Sequence, residues 1–319
     1  MLSRAHIAGV LAFAAVAAVA PALPPWFVSL ATIAFANALV VLGLIILWRA
    51  GLVPFGQALF YAAGAYAVAL ISRYTSWRDV FLLVAIGAAA AGLLAFLIGF
   101  LLARYRDIFF AMLSLALSMI LYGILVKTES LGSTDGFNVE PGTFFGYRPR
   151  GAALNLALFW LVLALSAVAA FLISLYFRSV AGTLAVPVRD NEIRLEFLGV
   201  SVNRLIHLKL VISGILAGVG GALAALAVAH VDPNMSYWTT SGGFVFVTIL
   251  AGAGSVAAAF VGSLVFELLR SLAVDLVPGT WQIILGSALL LTILFLPEGL
   301  GSLFQRLRRA SPKAASEQA

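Results

Sequence analysis

Apolar runs separated by short polar links make up nearly the whole chain. Runs at 7–23, 27–48, 52–72, 80–103, 108–126, 154–176 and 205–229 each approach the roughly 20 residues that an α-helix needs to cross hydrocarbon. The stretch 244–273 is too long for one simple helix and contains Gly252-Ala-Gly-Ser255, which predicts a half-helix, a break and then a span. A last run, 281–296, is slightly short but wholly apolar. The pattern predicts an all-α polytopic membrane protein with about eight to ten transmembrane or half-membrane helices. Two longer polar stretches interrupt it, 127–153 and 178–204.

Composition agrees with this reading. Of the 319 residues, 63% are hydrophobic and 10% charged, against about a quarter charged in an ordinary soluble domain. The net charge of +6 gathers near segment ends and the C-terminal tail, so it reads as topology and not as affinity for nucleic acid. Arg49, Arg104 and Arg106, the arginines of 178–204, and Arg306, Arg308, Arg309 and Lys313 all belong on the cytoplasmic side. An N-terminus inside satisfies the loop arginines, and the tail also comes out inside if 244–273 breaks at its glycines. Arg73 and Arg78 then fall outside, softened by Asp79. Arg4 and the following apolar run are read as an uncleaved first helix. The chain has no cysteine, which excludes disulfides and thiolate metal sites.

The densest charge lies in 182–204. Pro187 cannot continue an upstream helix, Asp190 can cap a new one, and Gly199 is the usual residue just past a helix end. These signals predict a short helix of about three turns between two spans. Ile193, Phe197 and Val200 fall on one side of it, while Asn191, Arg194 and Glu196 can point elsewhere. Such a helix can rest on lipid headgroups or dock into a soluble partner. The mixed charges of Arg189, Glu192, Arg194 and Glu196 favour docking, because a lipid-seeking helix carries a more uniformly basic face.

Arg189-Asp-Asn-Glu192, Glu196-Phe-Leu-Gly-Val-Ser-Val202 and Lys209-Leu-Val-Ile-Ser-Gly-Ile-Leu-Ala-Gly-Val-Gly-Gly-Ala222 resemble the cytoplasmic loop and following helix of LivM-type permeases, membrane subunits of ATP-binding cassette importers for branched-chain amino acids. The resemblance implies the LivH/LivM-type permease fold and makes the loop a coupling helix on the ATPase. Arg189, Asp190, Glu192, Arg194, Glu196, Phe197 and Gly199 are its candidate residues. A second match covers Ala50-Gly51, Phe55-Gly-Gln-Ala58, Phe60-Tyr61 and Gly64-Ala-Tyr66, where the family has a small-residue turn before a pathway-lining helix. Pro54 and Gly56 open the backbone inside the membrane, which is tolerated where protein or a water-filled cavity surrounds it. Pro54, Phe55, Gly56, Gln57 and Tyr66, with the mid-span Asn37, are therefore candidates for the translocation path; Gly64 is read as a helix-packing glycine and Asn37 also as a helix-bridging side chain. In the polar insert, Gly132, Thr134, Asp135 and Gly136 resemble a glycine-rich signature and mark a candidate external entrance. Weaker matches are Leu250-Ala-Gly-Ala-Gly-Ser255 and Leu296-Pro-Glu-Gly-Leu300.

Chemistry of other kinds finds no motif. No lysine follows a glycine as a phosphate-binding loop requires, there is no Gly-x-Ser-x-Gly or His-Glu-x-x-His, and the three histidines have no metal spacing. The expectation is a transport subunit without catalytic residue, metal or bound cofactor of its own, with ATP and Mg held by partners. Those partners are two cassette ATPases, a LivH-type second permease, a soluble solute-binding protein and membrane lipid. Residues 1–305 form the permease domain and 306–319 a cytoplasmic tail, in a bacterial inner membrane with both termini inside. Pro54 and Gln57 keep urea, amides and other small solutes open as substrates. An ion-coupled secondary transporter is the rival of a different class; it would use mid-span carboxylates, for which Glu267 is the one candidate, although its place near a helix end favours an interfacial position with Arg270.

Overall fold

The computed structural model describes residues 4–252, 254–277, 279–295 and 299–301. The basic tail 306–319 and the residues Leu296, Pro297 and Glu298 of the last motif lie outside the described residues. In chain order the helices begin with α1 (Arg4–Val19), α2 (Pro25–Trp48), α3 (Gln57–Tyr74), α4 (Val80–Leu102) and α5 (Asp107–Lys127). The strand β1 (Phe137–Asn138) and α6 (Ala152–Tyr176) follow, then the short α7 (Val180–Thr183), α8 (Ala185–Asp190) and α9 (Glu192–Phe197). The chain continues with α10 (Val202–Val228), β2 (His230–Val231), α11 (Trp238–Ala251), α12 (Val256–Leu276) and α13 (Trp281–Phe295). Among the described residues six helices, α2, α4, α5, α6, α10 and α12, are long and apolar enough to cross a membrane.

The shorter elements mark where backbone chemistry interrupts the apolar pattern. Pro24 and Pro25 start α2 and separate it from α1. The run 52–72 becomes helical only at Gln57, because Gly51 sits at φ +78° and Pro54 and Gly56 follow. Gly252, at φ +78°, ends α11 as the glycine break predicts. That helix begins at Trp238, six residues before the expected 244, and its 14 residues span only about 21 Å. The Leu300 amide donates to the Leu250 carbonyl at 2.8 Å, so the chain returns to cover the break.

At the centre lies α10, packed against α2, α3 and α4. Its glycines let the neighbours approach at backbone distance: a Cβ on Gly64 of α3 would run into the Gly218 backbone, and one on Gly221 would strike the Tyr61 carbonyl. Gly64 is thus a packing residue, as its spacing predicts. Ala36, Leu39, Val40, Ala65, Val68, Ala91 and Ala222 fill the remaining contacts without exposure. Large apolar side chains instead face outward on α4 and α5, Leu93, Leu97, Ile108, Phe109 and Met112 among them, as a membrane protein's lipid-facing or subunit-facing surface requires.

One end of the bundle is braced by the insert 127–153. Strand β1 pairs antiparallel with β2 at the end of α10, and Asp79 both caps α4 and accepts from the Phe145 amide at 2.9 Å. Arg78 pairs with Glu140, and the Arg73 guanidinium lies 5.0 Å from the Phe137 ring centroid. The two arginines that fit the charge rule least thus have partners in this loop. The opposite end gathers Arg49, Arg106 and the segment α7–α9.

Candidate functional site

The arginine-rich end is built around a single guanidinium. Arg106 Nε pairs with Glu192 at the start of α9, Nη2 donates to Asn203 Oδ1 of α10 at 2.9 Å, and Nη1 donates to the Ala103 carbonyl, just past α4, at 2.7 Å. One side chain therefore joins the short helices to three spans. Leu195, almost fully buried, adds an apolar anchor in a cluster with Leu52, Leu102, Phe110, Val188 and Ile206. On the other flank the Arg189 stem lies against Gly51, at the turn before α3. Lys209, fully buried in α10, donates to the Tyr176 hydroxyl and the Ala181 carbonyl, both at 3.1 Å, and so ties α6 and α7 to the same helix.

The predicted three-turn helix is shorter than its signals imply. Pro187 sits in the third position of α8, where its missing N–H costs nothing. The cap is not Asp190 but Asn191, whose Oδ1 accepts from the Arg194 amide at 3.0 Å and starts the six-residue α9. Asp190 instead faces Arg189 at 3.6 Å in an exposed pair of little energetic weight. Gly199 has φ +82°, so any side chain there is strained even though the space is open. The apolar side is uncovered: Ile193 is 68% exposed, Phe197 87% and Leu198 75%. Arg194 and Glu196 are exposed beside it.

The second feature is a cavity of about 760 Å³ between α2, α3, α10, α11, α12 and α13. Its walls are mostly apolar, from Ile33, Val228, Phe244, Val247, Phe266 and Leu285, with Tyr61 and the indoles of Trp238 and Trp281. Four polar side chains, Asn37, Ser263, Glu267 and Arg270, converge on one part of it. Asn37 Nδ2 donates to Glu267 Oε1 at 2.9 Å, and Arg270 Nη1 lies 3.7 Å from Glu267 Oε2. Glu267 is only 8% exposed. It therefore faces the interior and not the interface that its nearness to a helix end favours, because α12 presents it to the one polar side chain in the middle of α2. Arg270 is half-exposed and stands 5.7 Å from the Trp281 ring centroid.

Of the path candidates, Asn37 lines this cavity. The others do not line it. Gln57 is fully buried and donates to the Ser213 hydroxyl and carbonyl of α10 at 2.9 and 3.2 Å. The Phe55 amide donates to Ser114 Oγ of α5 at 3.1 Å, and a Cβ on Gly56 would collide with the Ser114 backbone. Pro54 is buried within the same turn, and Tyr66 packs its ring 6.0 Å from Phe137. Of the entrance candidates, Gly132 and Gly136 shape a tight turn, with the Gly136 amide on the Gly132 carbonyl at 3.0 Å, and Gly136 abuts the Val231 backbone. Thr134 and Asp135 are exposed and bond each other at 3.2 Å. Gly136 and β1, not Thr134 and Asp135, brace the β2 connection, whose continuation supplies Asp232, Asn234 and Met235 to the cavity wall. Asn203 and Ser263 carry no signal of their own in the sequence, Tyr61 is read only as part of the family segment and Arg106 only as a topology charge; partners far along the chain give them their places. Among the described residues no cluster of His, Asp and Glu could hold a metal ion.

Known proteins resemble this chain over most of its length. Residues 26–294 match the family described as branched-chain amino acid transport system, permease component. The chain is 27% identical to the high-affinity branched-chain amino acid transport system permease protein LivM of Salmonella typhimurium, over 92% of this chain and 74% of the relative. It is 26% identical to LivM of Escherichia coli, over 86% of this chain and 69% of the relative. Identity to LivH of Salmonella typhimurium is also 26%, over 78% of this chain and 85% of the relative. No solved structure matches the chain.

Proposed function

Since the chain belongs to the family of branched-chain amino acid transport permease components, we propose that it passes branched-chain or other hydrophobic amino acids through the cavity between α2, α3 and α10–α13. It is a multi-pass membrane protein and a permease subunit of an ATP-binding cassette importer. The observation that carries the substrate reading is the cavity itself, large, mainly apolar and provided with a buried carboxylate and a guanidinium. A zwitterion is costly to move through hydrocarbon, and an apolar chamber with charges of both signs lowers that cost.

The remaining machinery follows from the same reading. The chain pairs with a LivH-type permease, takes substrate from a soluble binding protein, and sits in the bacterial inner membrane with the arginine-rich end and both termini in the cytoplasm. ATP and Mg belong to two ATPase subunits, and α9 is the element they engage. Its uncovered Ile193, Phe197 and Leu198 would fill an apolar groove in the ATPase, and Arg106 would pass the movement to α4, α5 and α10. Such coupling biases a two-state element from a distant site.

Two features bear on the alternatives. Gln57, which keeps small polar solutes open in the sequence, is engaged by Ser213 and does not line the cavity. Glu267, the carboxylate an ion-coupled carrier would need, already has Arg270 as a countercharge 3.7 Å away and a hydrogen bond from Asn37 on one oxygen, with the other oxygen open to a further donor. Reconstitution of this chain with the second permease, the ATPases and the binding protein should give leucine uptake that requires ATP. Urea uptake without leucine uptake would refute the substrate, and uptake driven by an ion gradient without ATP would refute the mechanism.

A further inference from the structure

Resting on the amino-acid reading above, we propose that Glu267 and Asn37 form the recognition pole for the substrate's α-ammonium group, while Arg270 faces its carboxylate. The bond from Asn37 Nδ2 to Glu267 fixes the carboxamide, since the flipped amide would set its oxygen against the carboxylate. Asn37 Oδ1 is then aimed away from that bond. It has no hydrogen-bond partner among the described residues, and neither does Ser263 Oγ. Glu267 Oε2 is also incompletely used, because 3.7 Å to Arg270 is longer than a hydrogen bond.

Buried acceptors without donors are costly, and native proteins fill them with protein, water or ligand. The open positions here are two acceptor oxygens of which one carries charge, together with a hydroxyl that serves either way. A primary ammonium has three donors and no acceptor, which matches this set. A carboxylate has only acceptors and would be repelled by Glu267, but the half-exposed Arg270 guanidinium, held beside Trp281, offers it a charged partner. The order Glu267, Arg270 along one helical turn thus presents a negative and a positive group as the reverse image of an α-amino acid. Phe244, Phe266 and Leu285 leave an apolar wall for its side chain.

Because this sequence has no cysteine, a thiol introduced here is its one labelling site, and modification read by mass on this chain reports occupancy. Gly243 lines the cavity and has open space at its Cβ, so Gly243→Cys fits without a clash. In the assembled transporter, leucine at about ten times its dissociation constant should slow modification of this thiol by roughly tenfold, since the unoccupied fraction falls by that factor. Leucine's deaminated analogue 4-methylpentanoate should give no protection. Glu267→Gln keeps the side chain's shape and an oxygen for the Asn37 amide, and it should abolish protection by leucine while the complex still elutes assembled; Glu267→Asp should restore part of it. Equal protection by 4-methylpentanoate, or full protection by leucine in Glu267→Gln, would overturn the ammonium pole alone if the native transporter takes up leucine. Absence of leucine uptake by the native transporter would overturn the substrate reading, and this assignment with it.

Discussion

The segment α8–α9 and the cavity are unfinished in opposite senses. At α9 polar groups find partners, Glu192 in Arg106 and the Arg194 amide in Asn191, and the apolar side chains Ile193, Phe197 and Leu198 are left bare. In the cavity the apolar walls are packed into the bundle, and polar atoms of Asn37 and Ser263 are left without partners. What a surface lacks indicates what completes it: bare Phe197 and Ile193 fit an apolar groove in another protein, and buried acceptors fit a small donor-bearing solute. The two regions share no side chain, yet α10 borders both, and the turn at Gly51 and Leu52 leads from the coupling segment into α3, which supplies Tyr61 to the cavity; α10 and α3 are thus the mechanical link.

The largest effect should come from separating α3 and α10. In Gly221→Leu the new side chain meets the Tyr61 backbone, and overpacking of this kind costs about 1–3 kcal/mol or more. The yield of assembled permease should fall severalfold, and ATP-driven uptake by what remains should be lost, because Tyr61 is a cavity wall. Normal assembly and uptake would show that the two helices tolerate separation. A smaller and more selective effect is expected for Arg106→Gln, which removes hydrogen bonds from a charged group, each with a net worth of up to about 1.5–3 kcal/mol. Uptake per ATP hydrolysed should fall severalfold while leucine still protects the cavity thiol. Reversing the pair with Arg106→Glu and Glu192→Arg should recover part of the coupling; equal coupling in Arg106→Gln and the native protein would exclude the guanidinium as the joint.

How far these regions can be read from the sequence follows from the range of the interactions. Spans are legible because apolar runs of bilayer length have few other solutions, and the break before α12 is legible because Gly252 adopts a backbone few residues tolerate. The coupling segment is legible as a charge-dense motif. Its joint is not, since Arg106 and Glu192 lie 86 positions apart. The same limit is stronger in the cavity, where Asn37 and Glu267 are 230 positions apart and each alone reads as a helix-bridging or interfacial side chain. Gln57 shows the reverse error: a polar residue in a suspected pathway segment is occupied by Ser213 of the neighbouring helix.

The smallest expected effect tests whether α9 owes its order to its cap or to its anchor. Six residues cannot hold a helix alone in water. Asn191 supplies one hydrogen bond, to the Arg194 amide, and Leu195 supplies buried apolar area. Asn191→Ala should cost about 1 kcal/mol, which corresponds to roughly a fivefold rise in local opening. Hydrogen exchange at 192–197 should quicken by about that factor, and uptake per ATP should fall less than in Arg106→Gln. Asn191→Asp retains the acceptor and should restore both readings. If Asn191→Ala changes neither exchange nor coupling, Leu195 and the Arg106 pair suffice to hold α9. The bare face of Phe197 and Ile193 would then be presented by packing from below and not by the helix's own termini.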